Sequence, residues 1–259
     1  MAVTTDGTTP QGAPPAGAPP AGAPTAGSVR AAVGAGQERL RALLPDLTEA
    51  VVREPSALPG WSRAHVLAHL EGIGLALARQ ARTALRGELV ELYDGGRPER
   101  AAGIETGARR PAGALGDAVA AALDEAAAAW AAVGPADWSR PVRYRDGTLL
   151  TALLSWWREL EIHTADARLG PGPQDWSREL CGHLMEHLAP RVPRTARLVL
   201  AATDAEFRRE YGGTTGPEAT VRGRLTDLTA WLAGRAPRGP LDCRRAGASA
   251  PLPELLDWP

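Results

Sequence analysis

Four stretches of apolar residues at helical spacing, each cut off by proline or glycine, restrict this chain to few architectures. Leu40, Leu43, Leu44, Leu47 and Val51 define the first stretch, which ends before Pro59 and Gly60. Ser62 stands where an N-cap belongs, and Val66, Leu67, Leu70, Ile73, Leu77 and Leu85 carry a second helix to about Gly87. A third runs from about Ala114 to Val133. The fourth starts near Thr148, after the Asp146-Gly147 turn, and reaches Leu169. Tyr93 to Pro111, rich in Gly, Arg and Pro, reads as a long connection. Four helices of about 20 to 25 residues with one long crossover predict a four-helix bundle over residues 31–170.

The run Gly170-Pro171-Gly172-Pro173 marks a domain boundary. Beyond it the pattern gives a helix at about Trp176 to Leu188 and β-like runs at Arg197–Ala201, Glu206–Tyr211 and Ala219–Arg222. A last helix spans about Leu225 to Ala233, with Gly234 at its C-terminus. Residues 175–259 therefore read as a small α+β domain, and the chain as mainly α with that domain appended. YGGTTG at Tyr211 to Gly216 reads as a hairpin-type turn rather than a phosphate loop. Residues 1–30 are a Pro/Ala/Gly tract with no aliphatic larger than alanine from Thr4 to Ser28, which predicts a disordered tail.

Composition closes several chemistries. All 29 basic residues are arginine, so mechanisms that need an ε-amine, including Schiff-base catalysis and the lysine of a phosphate-binding Walker loop, are excluded. Arginine in place of lysine, with abundant alanine, also fits GC-rich coding. A net charge of -1 gives no general attraction to nucleic acid or to an anionic membrane. Cys181 and Cys243 stand far apart in no CxxC pattern, so neither a disulfide framework nor a cysteine-rich zinc site is expected. Neither a signal peptide nor a run of 18 apolar residues is present. The expected compartment is the cytoplasm.

The five histidines are distributed with chemical consequence. His65 and His69, and His183 and His187, are i, i+4 pairs, and His163 is paired at the same spacing with Glu159. On a helix that spacing sets two side chains on one face, near enough to share a metal ion. His69 shares the face of Val66, Ile73 and Leu77, and Glu159 and His163 share the face of Trp156 and Leu160. Two ionisable groups thus point where a core belongs, and burying a carboxylate is costly without a compensating partner. A metal would be such a partner; a buried Glu159–His163 hydrogen bond or a solvated groove would serve as well. His65 falls in the first helical turn and reads as a capping-region histidine. His183 and His187 flank Glu186 in HLMEH, which lacks the HExxH or HxxEH order and any evident third ligand. A helix face packed on the bundle is the plainer reading there, as an inert core thiol is for Cys181.

Several stretches together resemble the mycothiol-dependent maleylpyruvate isomerases, whose N-terminal domain belongs to the DinB-like metal-binding bundles. They are PGWSRAHVLAHL at Pro59–Leu70, the segment Tyr93–Pro111, WRELEIHTAD at Trp157–Asp166, AWLAGRAP in the C-terminal region and the closing proline-tryptophan tail. The likeness spans about residues 31 to 259. It implies that His69, Glu159 and His163 bind Zn²⁺ or another divalent metal, and that mycothiol is the thiol cofactor. The sequence departs from the family pattern at Glu71-Gly72-Ile73, and it carries Trp156-Trp157 and Glu161 on the fourth helix.

In such an enzyme the metal lowers the thiol pKa, the thiolate adds to a conjugated cis double bond, the adduct rotates, and elimination returns the trans isomer. Substrate carboxylates then need arginines, which pair with them bidentately. Arg235, in the C-terminal motif, and Arg97, in the crossover, lead that set, with Arg158 and Arg109 beside them, although a solvated surface residue is the plainer reading of each. Asp166, one turn beyond His163, is placed to orient the imidazole or to cap the helix. The expected partners are a small-molecule thiol and a small carboxylate or electrophilic substrate. A mycothiol S-transferase acting on an electrophile, or a non-enzymatic metal-binding or ligand-binding module, would use the same site. Paired arginines in the pocket would mark a dicarboxylate substrate; lining by Trp156 and Trp157 would mark an apolar electrophile.

Overall fold

The computed structural model describes residues 24–213 and 216–258. The first helix, α1 (Ala26–Leu43), begins inside the stretch expected to be disordered, because the Thr25 hydroxyl caps it by accepting from the Ser28 N–H. Residues 1–23 of that predicted tail lie outside the described residues. Pro45 stops α1, since it has no N–H to donate and its ring clashes with the preceding turn. A 3₁₀ turn (Leu44–Asp46) follows and then a short helix, α2 (Glu49–Arg53), started by Thr48. The single first helix expected through Val51 is therefore two.

The remaining bundle helices match the periodicity. They are α3 (Arg63–Leu85), α5 (Ala112–Ala131) and α6 (Leu149–Asp166), the last begun by a Thr148 hydroxyl that accepts from the Thr151 N–H. α3 lies against both α5 and α6, and α1 closes the bundle on α5 and α6. The crossover is not an open connection. It winds into α4 (Gly96–Ala108), which buries Ile104, Gly107 and Ala108 against α3. Gly107 is what lets the two helices meet, for a Cβ there would fall 2.6 Å from the Cβ of Ala68.

The C-terminal domain contains α7 (Arg178–Leu188), β1 (Arg197–Ala202), β2 (Arg208–Gly212), β3 (Glu218–Gly223), α8 (Leu225–Leu232), β4 (Asp242–Arg245) and β5 (Ala248–Ser249). The sheet order is β2-β1-β3-β4-β5, parallel only between β1 and β3. α8 covers β1 and β3, and α7 packs on α8. The turn expected at YGGTTG includes residues 214 and 215, outside the described residues. Side chains of both domains join one contiguous apolar core, with Trp157, Leu160 and Ile162 of α6 in the same cluster as Leu180, Leu184 and Leu188 of α7. Cys181 and Cys243 are buried and unpaired, and burial pushes the Cys181 thiol up to about 11, so neither is a nucleophile at neutral pH. Among the described residues no helix is long and apolar enough to cross a membrane.

Candidate metal centre and its cleft

Packing of α3 on α6 brings His69 to the Glu159/His163 pair. His69 Nε2 lies 3.0 Å from Glu159 Oε2, and His163 Nε2 lies 3.2 Å from the same oxygen. Among the described residues these three form the one group whose ligand atoms all fall within 4.8 Å of one another. His69 is buried, whereas the Glu159 side chain keeps 28% exposure and lines a cleft. The next layer is built on Asp166, which is 1% exposed. Its Oδ2 accepts from His163 Nδ1 at 2.9 Å, and its carboxylate takes both Nη2 (2.7 Å) and Nε (3.2 Å) of Arg235 from the other domain.

These bonds decide the protonation of the rings. Asp166 requires a proton on His163 Nδ1, so a neutral His163 would aim the Nε2 lone pair at the Glu159 oxygen. Two acceptors 3.2 Å apart repel unless positive charge lies between them. Burial would lower His163, but its bonds to Asp166 and Glu159 outweigh that and raise it. Burial likewise opposes ionisation of Glu159, yet the hydrogen bonds from His163 and His69 hold it well below the ordinary carboxylate range. Two imidazoles and a carboxylate, with one ring fixed from behind by an acid, make a donor set that could hold a divalent cation.

Glu159 and His163 border a cleft of about 410 Å³ between the domains, which Arg145, Arg158, Arg235, Tyr144, His187 and Trp258 also line, while His69 stays behind them. Trp258 lies over the Arg235 guanidinium, 5.1 Å from ring centroid to Cζ. Arg145 and Asp146 both hold left-handed φ angles, 55° and 46°, in the turn that brings Arg145 there. Arg158 donates to His183 Nε2 at 2.9 Å and to Ser155 Oγ at 2.7 Å. His183 stacks on Trp157, so it is an acceptor at the domain joint and no part of a second metal site.

Other expected residues fall elsewhere. Arg97 is exposed in the first turn of α4 and Arg109 is exposed at its end; neither borders the cleft. The arginine that α4 does send to the centre is Arg100, whose Nη2 contacts His69 Nδ1 at 3.2 Å. His65 caps α3, with its Nδ1 2.7 Å from Ser62 Oγ. Glu71, where the sequence leaves the family pattern, pairs with Arg110 at 2.8 Å across α3 and α4. Trp156 and Trp157 are buried in the core and do not line the cleft. Sequence reasoning missed Arg100 because α4 was read as loop, and missed Arg145 because its inward turn depends on a left-handed backbone at non-glycine residues.

A helical bundle that gathers a His/Glu/His trio, two of whose members face a cleft shared with a small α+β domain, defines a two-domain class. The sequence model of the mycothiol maleylpyruvate isomerase N-terminal domain matches residues 33–168, and that of the C-terminal domain of the same enzymes matches residues 175–256. The chain belongs to the mycothiol-dependent maleylpyruvate isomerase family, a family of enzymes. A crystal structure of the mycothiol-dependent maleylpyruvate isomerase superposes with a TM-score of 0.78 at 23% identity, over 90% of this chain and 97% of that one. A histidine-to-alanine variant of that isomerase gives the same values. No curated protein matches the chain by sequence.

Proposed function

We propose that this chain isomerises maleylpyruvate, or a related conjugated cis-enoyl acid, using mycothiol as the thiol and a divalent metal, zinc by its donor set, held by His69, Glu159 and His163. The observation that carries the reading is the convergence of Arg145, Arg158 and Arg235 on the cleft that Glu159 and His163 border. In a chain without lysine these are the groups able to hold the carboxylates of an enoyl diacid. When bound, the metal supplies Lewis acidity that makes the thiol a thiolate at neutral pH.

The residues divide the remaining work. Asp166 keeps the proton of His163 on Nδ1 and leaves Nε2 free as a ligand atom. Arg235 is held against Asp166, so a cation stands at the cleft wall without having to be ordered at each turnover. Bound mycothiol would supply the thiolate that turns the substrate's double bond into a rotatable single bond, and Arg145, Arg158 and Arg235 would hold the substrate carboxylates and stabilise the negative charge on its conjugated carbonyl until the thiolate is released again. The burial of Trp156 and Trp157 away from the cleft weighs against an apolar electrophile and hence against the transferase. Two buried free thiols accord with a reducing compartment, and the cytoplasm is our proposal for where the enzyme works.

The test incubates zinc-loaded protein with maleylpyruvate, with and without mycothiol, and follows loss of the cis-enoyl absorbance. Turnover is expected only with thiol present. His163→Ala is expected to lose bound zinc with its circular dichroism unchanged, and Arg235→Ala to lower kcat/KM about 100-fold or more, as loss of a charge-bearing contact in the transition state does. No turnover in the wild type with thiol present overturns the isomerase reading, and full zinc retention by His163→Ala overturns the metal assignment.

A further inference from the structure

The interdomain cleft is lined by Glu159 and His163; their neighbour His69 instead lines a second cavity, of about 400 Å³, between α3 and α4. Its walls are apolar at Leu75, Leu92 and Ile104. At its rim, Arg79 pairs with Asp94 at 2.8 Å, Arg82 with Glu125 at 3.0 Å and Arg110 with Glu71 at 2.8 Å. Arg100 is different. Among the described residues no carboxylate pairs with it, and its hydrogen bond goes to a neutral ring nitrogen, His69 Nδ1. The Tyr93 hydroxyl beside it is buried without a hydrogen-bond partner. A guanidinium without a carboxylate partner, beside a buried phenol and with apolar side chains in the same cavity wall, is the complement of a carboxylate with an apolar body.

We propose that the α3–α4 cavity is a second ligand site that takes a small carboxylate with an apolar body, gripped by Arg100 and Tyr93, and that its occupation favours metal binding on the far side of His69. The coupling follows from the chemistry of the donor. A guanidinium only donates, so His69 Nδ1 is an acceptor and the neutral ring carries its proton on Nε2, facing Glu159. A metal ligand at Nε2 needs the lone pair there and the proton on Nδ1, which cannot face Arg100. Arg100 must therefore leave His69 when metal binds, and a carboxylate in the cavity holds it away. Arg100 is in this sense a positioning residue for the metal centre. The carboxylate site stands on the cavity alone; its coupling rests on the reading of the trio as a metal site.

The test uses butyrate as the carboxylate and Co²⁺ as the metal. Calorimetric titration of butyrate into the metal-free full-length protein is expected to show a site that is lost in Arg100→Ala, weakened in Tyr93→Phe and retained in Arg235→Ala, whatever binding the cleft arginines add. Co²⁺ affinity, read from its visible absorption, is expected to tighten at least about fivefold with butyrate in the wild type. It is expected to be equally tight without butyrate in Arg100→Ala. Butyrate binding that survives Arg100→Ala, or that is lost in Arg235→Ala instead, overturns the site. Co²⁺ binding indifferent to butyrate overturns the coupling. Failure of the wild type to bind Co²⁺ sinks the metal reading and the coupling together, while the calorimetry still decides whether the cavity takes a carboxylate.

Discussion

His69, His163 and His183 differ in which ring nitrogen is engaged, and that difference sets what each can do. His163 donates from Nδ1 to Asp166, His69 accepts at Nδ1 from Arg100, and His183 accepts at Nε2 from Arg158. For His183, burial first and the Arg158 charge second lower the pKa to about 3, and the same two causes bring His187 to about 4. Both therefore stay neutral in the fold at pH values where the unfolded chain already takes up protons. Their contribution to stability is complete above about pH 6.5 and is lost as pH falls from there toward 3. We expect urea unfolding of the metal-free protein to show stability falling between pH 6.5 and pH 5, with His183→Gln flattening the fall by on the order of 1–2 kcal/mol. An unchanged slope would refute the assignment. At this scale the Glu159/His163 spacing was legible because one helix carries both residues. The contacts His69–Glu159 and Arg158–His183 were not, since each depends on how two helices pack.

At the scale of elements, α4 shows where propensity gives way to docking. Its sequence holds Pro98 and three glycines (Gly96, Gly103, Gly107), each glycine costing a helix about 1 kcal/mol relative to alanine. Periodicity accordingly reads the segment as a connection, and only burial of Ile104, Gly107 and Ala108 on α3 makes it helical. β4 and β5 were missed for a related reason, because four and two residues of mostly polar sequence are too short to show an alternating pattern. α3, α5 and α6, the first three strands and α8 were legible in their apolar patterns, whereas the break between α1 and α2 was not, because the apolar spacing runs on through Leu44 and Leu47 to Val51. The α3–α4 crossing can be tested directly. Gly107→Ala is expected to destabilise the protein by about 1–3 kcal/mol in urea unfolding, through overpacking against Ala68. Adding Ala68→Gly should restore most of the loss, and failure of that rescue would place the cost elsewhere.

Across the whole molecule, Asp166 clasps the two domains, receiving His163 from the bundle side and Arg235 from the C-terminal side. Composition marks a change at Gly170–Pro173, but the clasp across it is not legible in the sequence, because Arg235 lies 69 residues from its partner. If the trio holds metal, an ion that stabilises His163 in its present orientation also stabilises the carboxylate that holds Arg235. Domain docking and metal occupancy should then support one another. Limited proteolysis is expected to cut the exposed Gly170 region faster in the presence of a chelator than with zinc, and Asp166→Asn should remove that difference. Equal cleavage rates would mean that the domains dock independently of the metal. Trp258, laid over Arg235 and Arg191 at the cleft, carries a practical consequence for handling the protein. Replacing Trp258 or attaching a bulky label beside it would uncover the Arg235 guanidinium and reshape that wall of the cleft.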